Sequence, residues 1–201
     1  MTEAYKLFSP DGIRAYTVST AIGLLRSTGL RISELTLLKP EDARLTESYL
    51  FINSSKFKKD RIVPLHSTVT KELKNYRDFI EKKLGQRNGK DYFFVSSYGR
   101  EFNTRTFEYA FQLIRTVLFK DELRDNFRKP RLSDFRHTFA CETIRSWLEA
   151  GDDVNQKLYL LSTYMGHVKP ADTYWYLSAT PALLAISCNL YEIAFGTEVS
   201  E

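Results

Sequence analysis

The chain has 201 residues, of which 43% are hydrophobic and 27% are charged. This composition predicts one globular domain over residues 1–201 and excludes a largely disordered chain. The chain has no run of ~18 apolar residues and no signal-peptide pattern, so we expect a cytoplasmic protein. Its 29 Lys and Arg exceed its 25 Asp and Glu by a net charge of +4, which permits a polyanionic partner without requiring one.

Helical periodicity dominates the chain. The first helix is predicted to begin at the capping signal Ser9-Pro10 and to reach about residue 27, and a short second helix is predicted to stop before Pro40. Residues 49–52 and 61–64 read as two strands of a hairpin with a lysine-rich tip, and residues 92–95 as a third strand. Further helices are predicted over residues 67–84, 104–118, 133–148, 154–165, 171–177 and 180–195. The fold class is therefore mainly α with a small antiparallel β-sheet (α+β).

The common metal and nucleotide motifs are missing from the sequence. There is no P-loop, no HExxH, no CxxC and no GxSxG. His137 and Cys141 have the spacing of half a metal site, but no second pair completes four ligands, so a packed His–Cys pair is the expected alternative. Cys141 and Cys188 both lie in apolar helical patterns, where buried free thiols are usual, in keeping with a reducing compartment.

Five short segments carry residues suited to phosphate chemistry. Arg31 and Glu34 lie in TGLRISEL, Lys56 in SKFKKDRIVPLH, Arg136 in LSDFRHTFA, His167 in YMGH, and two tyrosines in TYWYL. Each segment alone has an ordinary interpretation, such as a surface ion pair or packed aromatic side chains. In a helix, Tyr174 and Tyr176 point ~200° apart, so only one of them can face a shared pocket.

Together and in this order, the five segments resemble the catalytic domain of the tyrosine recombinases, the phage-integrase type of site-specific recombinase. The resemblance covers about residues 9–195 and implies the catalytic-domain fold of that family. It implies that Arg31, Arg136 and His167 bind the scissile phosphate. It also implies that Lys56 is the proton donor, that Tyr176 is the nucleophile, and that Glu34 is a supporting acid.

The chemistry explains these residue types. Two guanidiniums clamp the charge that grows on a phosphodiester in its transition state, so neither a metal nor another cofactor is required. Nearby positive charge favours the phenolate of a tyrosine, and a phosphotyrosine keeps the bond energy for rejoining, so no ATP is needed. The implied product is a 3′-phosphotyrosine with a free 5′-hydroxyl, whose proton Lys56 would supply.

The chain departs from the family pattern at two places. Ser133 occupies the position of a histidine three residues before the second arginine, and serine cannot titrate at neutral pH. His137 lies ~100° further round the helix and is not expected to replace it. The N-terminal DNA-clamping domain of the family is missing, so a fragment or a reduced member is expected. The apolar helix at 180–195 either packs on its own core or docks into a neighbouring protomer.

The resemblance implies double-stranded DNA as partner, a homotetramer on DNA, a monomer or weak dimer without it, and a nucleoid location when bound. The cations expected to contact DNA are Lys58, Lys59, Arg61, Arg128, Lys129 and Arg131. Three alternatives stay open: a catalytically impaired DNA-binding remnant, which Ser133 favours, a type IB topoisomerase, and a helical protein with no DNA role.

Overall fold

The structure is a computed structural model, and it describes residues 2–53, 60–88, 91–119, 129–167, 169 and 171–178. The chain divides into two compact units, Met1–Arg136 and His137–Glu201. None of the helices in the described ranges combines the length and the apolar character needed to cross a membrane. The prediction of one domain over the whole chain stays a prediction.

Helices form most of the described chain, as the apolar periodicity predicted. Five precede residue 120 and three follow it. They are α1 (Thr2–Tyr5), α2 (Ile13–Thr28), α3 (Ile32–Thr36), α4 (Ser67–Leu84), α5 (Thr104–Leu118), α6 (Ser133–Glu149), α7 (Val154–Met165) and α8 (Ala171–Ser178). Helix α1 was not predicted, and the predicted helix at 180–195 lies outside the described residues.

Helix α2 begins later than the capping signal predicted. Gly12 precedes it with a φ of 76°, in the left-handed region that favours glycine. The Ser9 hydroxyl still accepts a hydrogen bond from the Arg14 backbone N–H at 3.0 Å, and the Asp11 carboxylate accepts one from that of Ile13 at 3.0 Å. Both side chains therefore cap α2 across a turn, and the helix starts at Ile13 instead of Pro10.

Helix α2 is the centre of the first unit. It is buried on most of its surface and packs against α1, α3, α4 and α5. A helix with apolar side chains on several sides needs neighbours on those sides, because exposed apolar surface costs hydrophobic free energy. The packing fixes the C-terminal end of α2, from which the chain turns into the first candidate catalytic segment.

The first unit also contains a three-stranded antiparallel sheet in the order β1-β2-β3. Its strands are β1 (Ala43–Arg44), β2 (Tyr49–Ile52) and β3 (Arg61–Pro64). The two predicted strands are confirmed at their predicted bounds, and β1 was not predicted. In the register of the hairpin, Leu50 pairs with Val63 and Ile52 with Arg61. Alternation along β3 therefore places Arg61 on the same side as the buried Val63, whereas Ile62 is exposed.

The predicted strand at residues 92–95 is wrong. Apart from one isolated bridge between Val95 and Glu101, the segment is irregular. Phe93, Phe94 and Val95 are all buried in succession, which a strand with one buried face does not allow. The backbone instead bonds outside any ladder: the Phe93 N–H donates to the Leu38 carbonyl at 2.8 Å and the Val95 N–H to the Tyr76 hydroxyl at 3.3 Å.

The second unit has its own small core. Buried side chains of α6, α7 and α8 form it, namely Ala140, Ile144, Leu158, Leu161, Met165 and Tyr176. Helices α7 and α8 pack against each other across the turn that follows Met165. One of the predicted site residues, Tyr176, thus belongs to this core.

Candidate active site

Arg31 is placed by a sharp turn between α2 and α3. The chain leaves α2 at Gly29, which has a φ of 61° and whose N–H donates to the Leu25 carbonyl at 3.0 Å. Two residues later, Arg31 takes an extended backbone conformation at the N-cap of α3. Its backbone N–H donates to Glu34 Oε2 at 2.8 Å and its Nη1 to Glu34 Oε1 at 2.8 Å. The Arg31–Glu34 pair, which taken alone has the ordinary interpretation of a surface ion pair, is therefore also part of a helix cap.

Glu34 also binds a second arginine. Arg61 on β3 donates from Nη1 and Nη2 to the two carboxylate oxygens of Glu34, each at 2.7 Å. The side chains of Arg61 and Glu34 are 11% and 10% exposed, whereas that of Arg31 is 36% exposed. Burial alone would raise the pKa of Glu34, but the hydrogen bonds and charge of Arg61, together with the hydrogen bonds of Arg31, lower it to about 2. Glu34 is thus a carboxylate throughout the neutral range.

Arg136 belongs to the first unit and contacts the same turn. Its Nη1 donates to the Gly29 carbonyl at 2.7 Å, two residues before Arg31. The side chain is half-buried, and the carbonyl is the kind of partner that a buried guanidinium requires. Ser133, at the position where the resemblance implies a histidine, is the first residue of α6 and is exposed. The first unit therefore brings Arg136 to the turn that carries Arg31.

The second unit brings His167 and Tyr176 together. Helix α7 ends at Gly166, whose φ is 66°, and the His167 backbone N–H donates to the Ser162 carbonyl at 3.0 Å. His167 Nδ1 is hydrogen-bonded to the hydroxyl of the fully buried Thr173 at 2.7 Å. The Tyr176 ring is nearly parallel to the imidazole, with an interplanar angle of 18° and 6.2 Å between centroids. A buried partner on α8 thus orients the histidine beside the tyrosine.

The two candidate tyrosines have different surroundings. Tyr176 is 8% exposed and faces the core of its unit, whereas Tyr174 is 48% exposed. Trp175, between them, is 61% exposed. The two tyrosines therefore lie on different sides of α8, as the ~100° step of a helix predicts.

His137 is a neighbour of Tyr176 that the sequence interpretation did not place there. Its ring lies 5.3 Å from the Tyr176 ring and 5.3 Å from the Trp175 ring, between centroids. Its Nε2 lies 3.6 Å from the sulfur of Cys141, which is a half-buried free thiol whose pKa is raised by burial. No cluster of three or more His, Cys, Asp or Glu suited to a metal occurs in the described ranges. The pair thus packs against α8, a contact that helix spacing alone could not predict.

The cations predicted to contact DNA fall into three groups. Lys56, the predicted proton donor, lies outside the described residues together with Lys58, Lys59 and Arg128. Lys129 and Arg131 are exposed before α6, and Arg131 pairs with Asp134 at 3.7 Å. Arg61 is buried against Glu34, so its guanidinium faces into the protein. The sequence could have indicated this orientation, because alternation along β3 puts Arg61 on the same side as Val63. The apolar Ile62 between them hides the alternation, because it is exposed although it is hydrophobic.

Comparison with known proteins gives relatives that are named as recombinases. The chain is 34% identical over 172 residues to y4rB of Sinorhizobium fredii (strain NBRC 101917 / NGR234), which is named as an integrase/recombinase, covering 86% of this chain and 54% of that protein. It is 28% identical over 135 residues to tyrosine recombinase XerD of Staphylococcus saprophyticus, covering 67% of this chain and 43% of the relative. The chain thus spans about half the length of the curated relatives it matches.

Solved structures share this fold. A crystal structure of XerA recombinase matches with a TM-score of 0.65 and 28% identity, over 88% of this chain and 57% of that one. XerH recombinase bound to a palindromic difH substrate, in a post-cleavage complex, matches with a TM-score of 0.67 and 18% identity, over 95% and 50% of the two chains. The latter similarity concerns the fold alone.

The family profile agrees with the names of these relatives. The profile of the phage integrase family matches residues 1–182, which include every segment that carries a candidate catalytic side chain. The mainly helical fold with its small antiparallel sheet is the catalytic-domain fold predicted from the sequence. The chain therefore belongs to the phage integrase family of tyrosine recombinases.

Proposed function

We propose that this chain is the catalytic part of a site-specific DNA recombinase that cuts and rejoins strands through a 3′-phosphotyrosine intermediate. The observation that carries the proposal is the position of Tyr176, which is buried beside an oriented His167 while Tyr174 points to solvent. The names of the relatives support a recombinase over the topoisomerase alternative.

In this proposal Tyr176 is the nucleophile. The phenol gives up its proton to solvent and its oxygen attacks the phosphorus. The bond from phosphorus to the 5′-oxygen breaks, and the 5′-oxygen takes a proton from Lys56 and leaves as a hydroxyl. Attack of a 5′-hydroxyl on the phosphotyrosine reverses the step and joins the strands. The bond energy is conserved in the phosphotyrosine, so the cycle consumes no nucleotide.

Arg31 and Arg136 bind the scissile phosphate in this mechanism. A guanidinium presents several donors in a fixed fork, and it gains most when the phosphoryl oxygens acquire charge in the transition state. The contact of Arg136 with the Gly29 carbonyl supports its placement on the turn that carries Arg31. Thr173 orients His167, which adds a third phosphate ligand.

Ser133 bears on the rate of strand cleavage that we expect. A serine hydroxyl can donate a hydrogen bond to a phosphate oxygen, but it cannot carry charge or take up a proton at neutral pH. Groups that act as acids or bases contribute ~10²–10⁴-fold to a reaction rate. We therefore propose slower strand cleavage than in a variant with histidine at this position. We also propose that the chain acts on recombination sites in double-stranded DNA and assembles there as a tetramer.

Covalent trapping tests the proposal. Nicked suicide duplexes drawn from a randomised pool are incubated with the protein, the mixture is denatured in SDS, and DNA attached to protein is collected and mapped. We expect an adduct at Tyr176, none in Tyr176→Phe, and an unchanged adduct in the matched control Tyr174→Phe. Ser133→His should form the same adduct ~10²-fold faster or more.

Two results would contradict the proposal. An adduct that persists in Tyr176→Phe and disappears in Tyr174→Phe would move the nucleophile to the exposed tyrosine. If the chain and Ser133→His both bind DNA but neither forms an adduct, the chain is a DNA-binding remnant.

A further inference from the structure

Arg61 has no part in the reaction outlined above, although it makes the shortest contacts around Glu34. Its two terminal nitrogens donate in parallel to the two carboxylate oxygens, each at 2.7 Å. A parallel fork of this kind holds both partners in one orientation more strictly than a single hydrogen bond does. Glu34 in turn accepts the backbone N–H and the Nη1 of Arg31, each at 2.8 Å.

The burial of these three side chains separates their roles. Arg61 and Glu34 are 11% and 10% exposed, and Arg31 is 36% exposed. Arg61 directs its fork inward, on the side of β3 that also carries the buried Val63. Of the three, Arg31 is the one accessible to a ligand. A DNA phosphate would therefore meet Arg31 and not Arg61.

The charges of Arg31, Glu34 and Arg61, the trio, also favour Arg31 as the residue that meets a phosphate. Arg31 with Glu34 alone would carry no net charge, and the carboxylate would oppose the approach of a phosphate. Arg61 adds a second positive charge on the buried side of Glu34, so the trio carries a net charge of +1. Because Glu34 is shared with a buried partner, Arg31 keeps more of its positive potential toward the solvent.

We propose that Arg61 is a positioning residue, which acts through Glu34 to orient Arg31 and to maintain its charge toward the scissile phosphate. This inference rests on the proposed function. Arg61 also follows Lys56 by five residues in the chain. The same contact therefore anchors the strand that begins directly after the segment of the predicted proton donor.

The first test does not depend on DNA cleavage. The side-chain ¹⁵N–¹H signals of Arg31 are recorded by NMR in the wild-type chain, in Arg61→Gln and in Arg145→Gln. Arg145 is the matched control, because it also pairs with carboxylates at 2.7 Å, but on the exposed surface of the second unit. We expect the Arg31 signals to shift and broaden in Arg61→Gln alone. Unchanged Arg31 signals in that variant would overturn the proposal.

The second test separates positioning from DNA contact. The single-turnover cleavage rate and the Kd are measured on a duplex that traps the wild-type protein. We expect Arg61→Gln to lower the cleavage rate by ~10–100-fold, as a displaced phosphate ligand would, with a Kd within about twofold of the wild type. A weaker Kd together with a salt slope reduced by about 1 would make Arg61 a phosphate contact and contradict the proposal.

A double-mutant cycle completes the test. If Arg61 acts through Arg31, its replacement should have little further effect in an Arg31→Lys background, whereas an equal loss in both backgrounds would show independent action. Arg61→Lys keeps the charge without the fork and should recover part of the rate, and no recovery would contradict the charge argument. If neither the wild-type chain nor Ser133→His traps DNA, the proposed function fails, and the NMR result still decides whether Arg61 orients Arg31.

Discussion

At the scale of single residues, Glu34 is the group with the largest electrostatic consequences. It is buried, it accepts four hydrogen bonds from Arg31 and Arg61, and its pKa is lowered to about 2 from an ordinary value of 4.5. A carboxyl with a lowered pKa stabilises the folded state only while it is ionised. The pH dependence of unfolding therefore reports on this residue.

We predict that Glu34→Gln removes part of the acid sensitivity of the protein. Because the folded pKa is depressed, the contribution of Glu34 is complete above about pH 5 and is lost as the pH falls toward about 2; its size is on the order of 3 kcal/mol. Urea unfolding at pH 7 and between pH 4 and 2.5 measures this contribution to the free energy of unfolding. Glu47→Gln, at an exposed glutamate, is the control. The prediction fails if the two variants lose stability in parallel with pH.

At the scale of structural elements, one closed ring of hydrogen bonds joins α2, α4 and the segment at 92–95. The Thr17 hydroxyl donates to the Val95 carbonyl at 2.9 Å, and the Val95 N–H donates to the Tyr76 oxygen at 3.3 Å. The Tyr76 hydroxyl and the Thr17 oxygen are 2.9 Å apart. The Thr17 hydroxyl has only one hydrogen and donates it to the Val95 carbonyl, so the Tyr76 hydroxyl must be the donor in the bond between Tyr76 and Thr17.

This ring should make Tyr76 costly to change. Burial raises the pKa of Tyr76 to about 12, so the hydroxyl stays protonated. We predict that Tyr76→Phe lowers the free energy of unfolding by ~1–3 kcal/mol, because it leaves the buried Val95 N–H without its acceptor. Tyr98→Phe, at a tyrosine that is 87% exposed, should change it little. Equal effects of the two substitutions in urea unfolding would show that the ring contributes nothing.

At the scale of the whole molecule, a net charge of +4 is small for a chain proposed to bind DNA. Affinity for phosphates depends on how many cations contact them, and each contact gives a salt dependence of about 0.9 in the slope of log K against log salt. The placement of cations therefore matters more than their total. Lys129 and Arg131 are exposed before α6, the helix that carries Arg136.

We predict that replacing Lys129 and Arg131 together by glutamine reduces this slope by about 2 on any duplex. Replacing Lys82 and Lys83, which are exposed at the end of α4, removes the same charge and should leave the slope nearly unchanged. Fluorescence anisotropy between about 50 and 200 mM salt measures both. If the two double variants change the slope equally, only net charge matters, and the predicted DNA contacts are wrong.

Much of this protein follows from local sequence. The bounds of β2, β3, α4 and α7 are predictable because their periodicity and capping residues lie within the elements themselves. The segment at 92–95 is not predictable in this way, since its backbone bonds to Tyr76 and Leu38, which are distant in the chain. Short apolar runs take whichever hydrogen-bond partners the surrounding core supplies.

The candidate site likewise has features that local sequence determines and others that depend on contacts between distant residues. The sequence by itself determined the residue types and their order, including Arg31, Arg136, His167 and a tyrosine pair, because these are properties of short motifs. Only the tertiary structure decided that Arg61 faces Glu34 and that His137 lies against Tyr176. Both contacts join residues far apart in the chain, and neither a charge pattern nor a helical spacing specifies which distant group a side chain will meet.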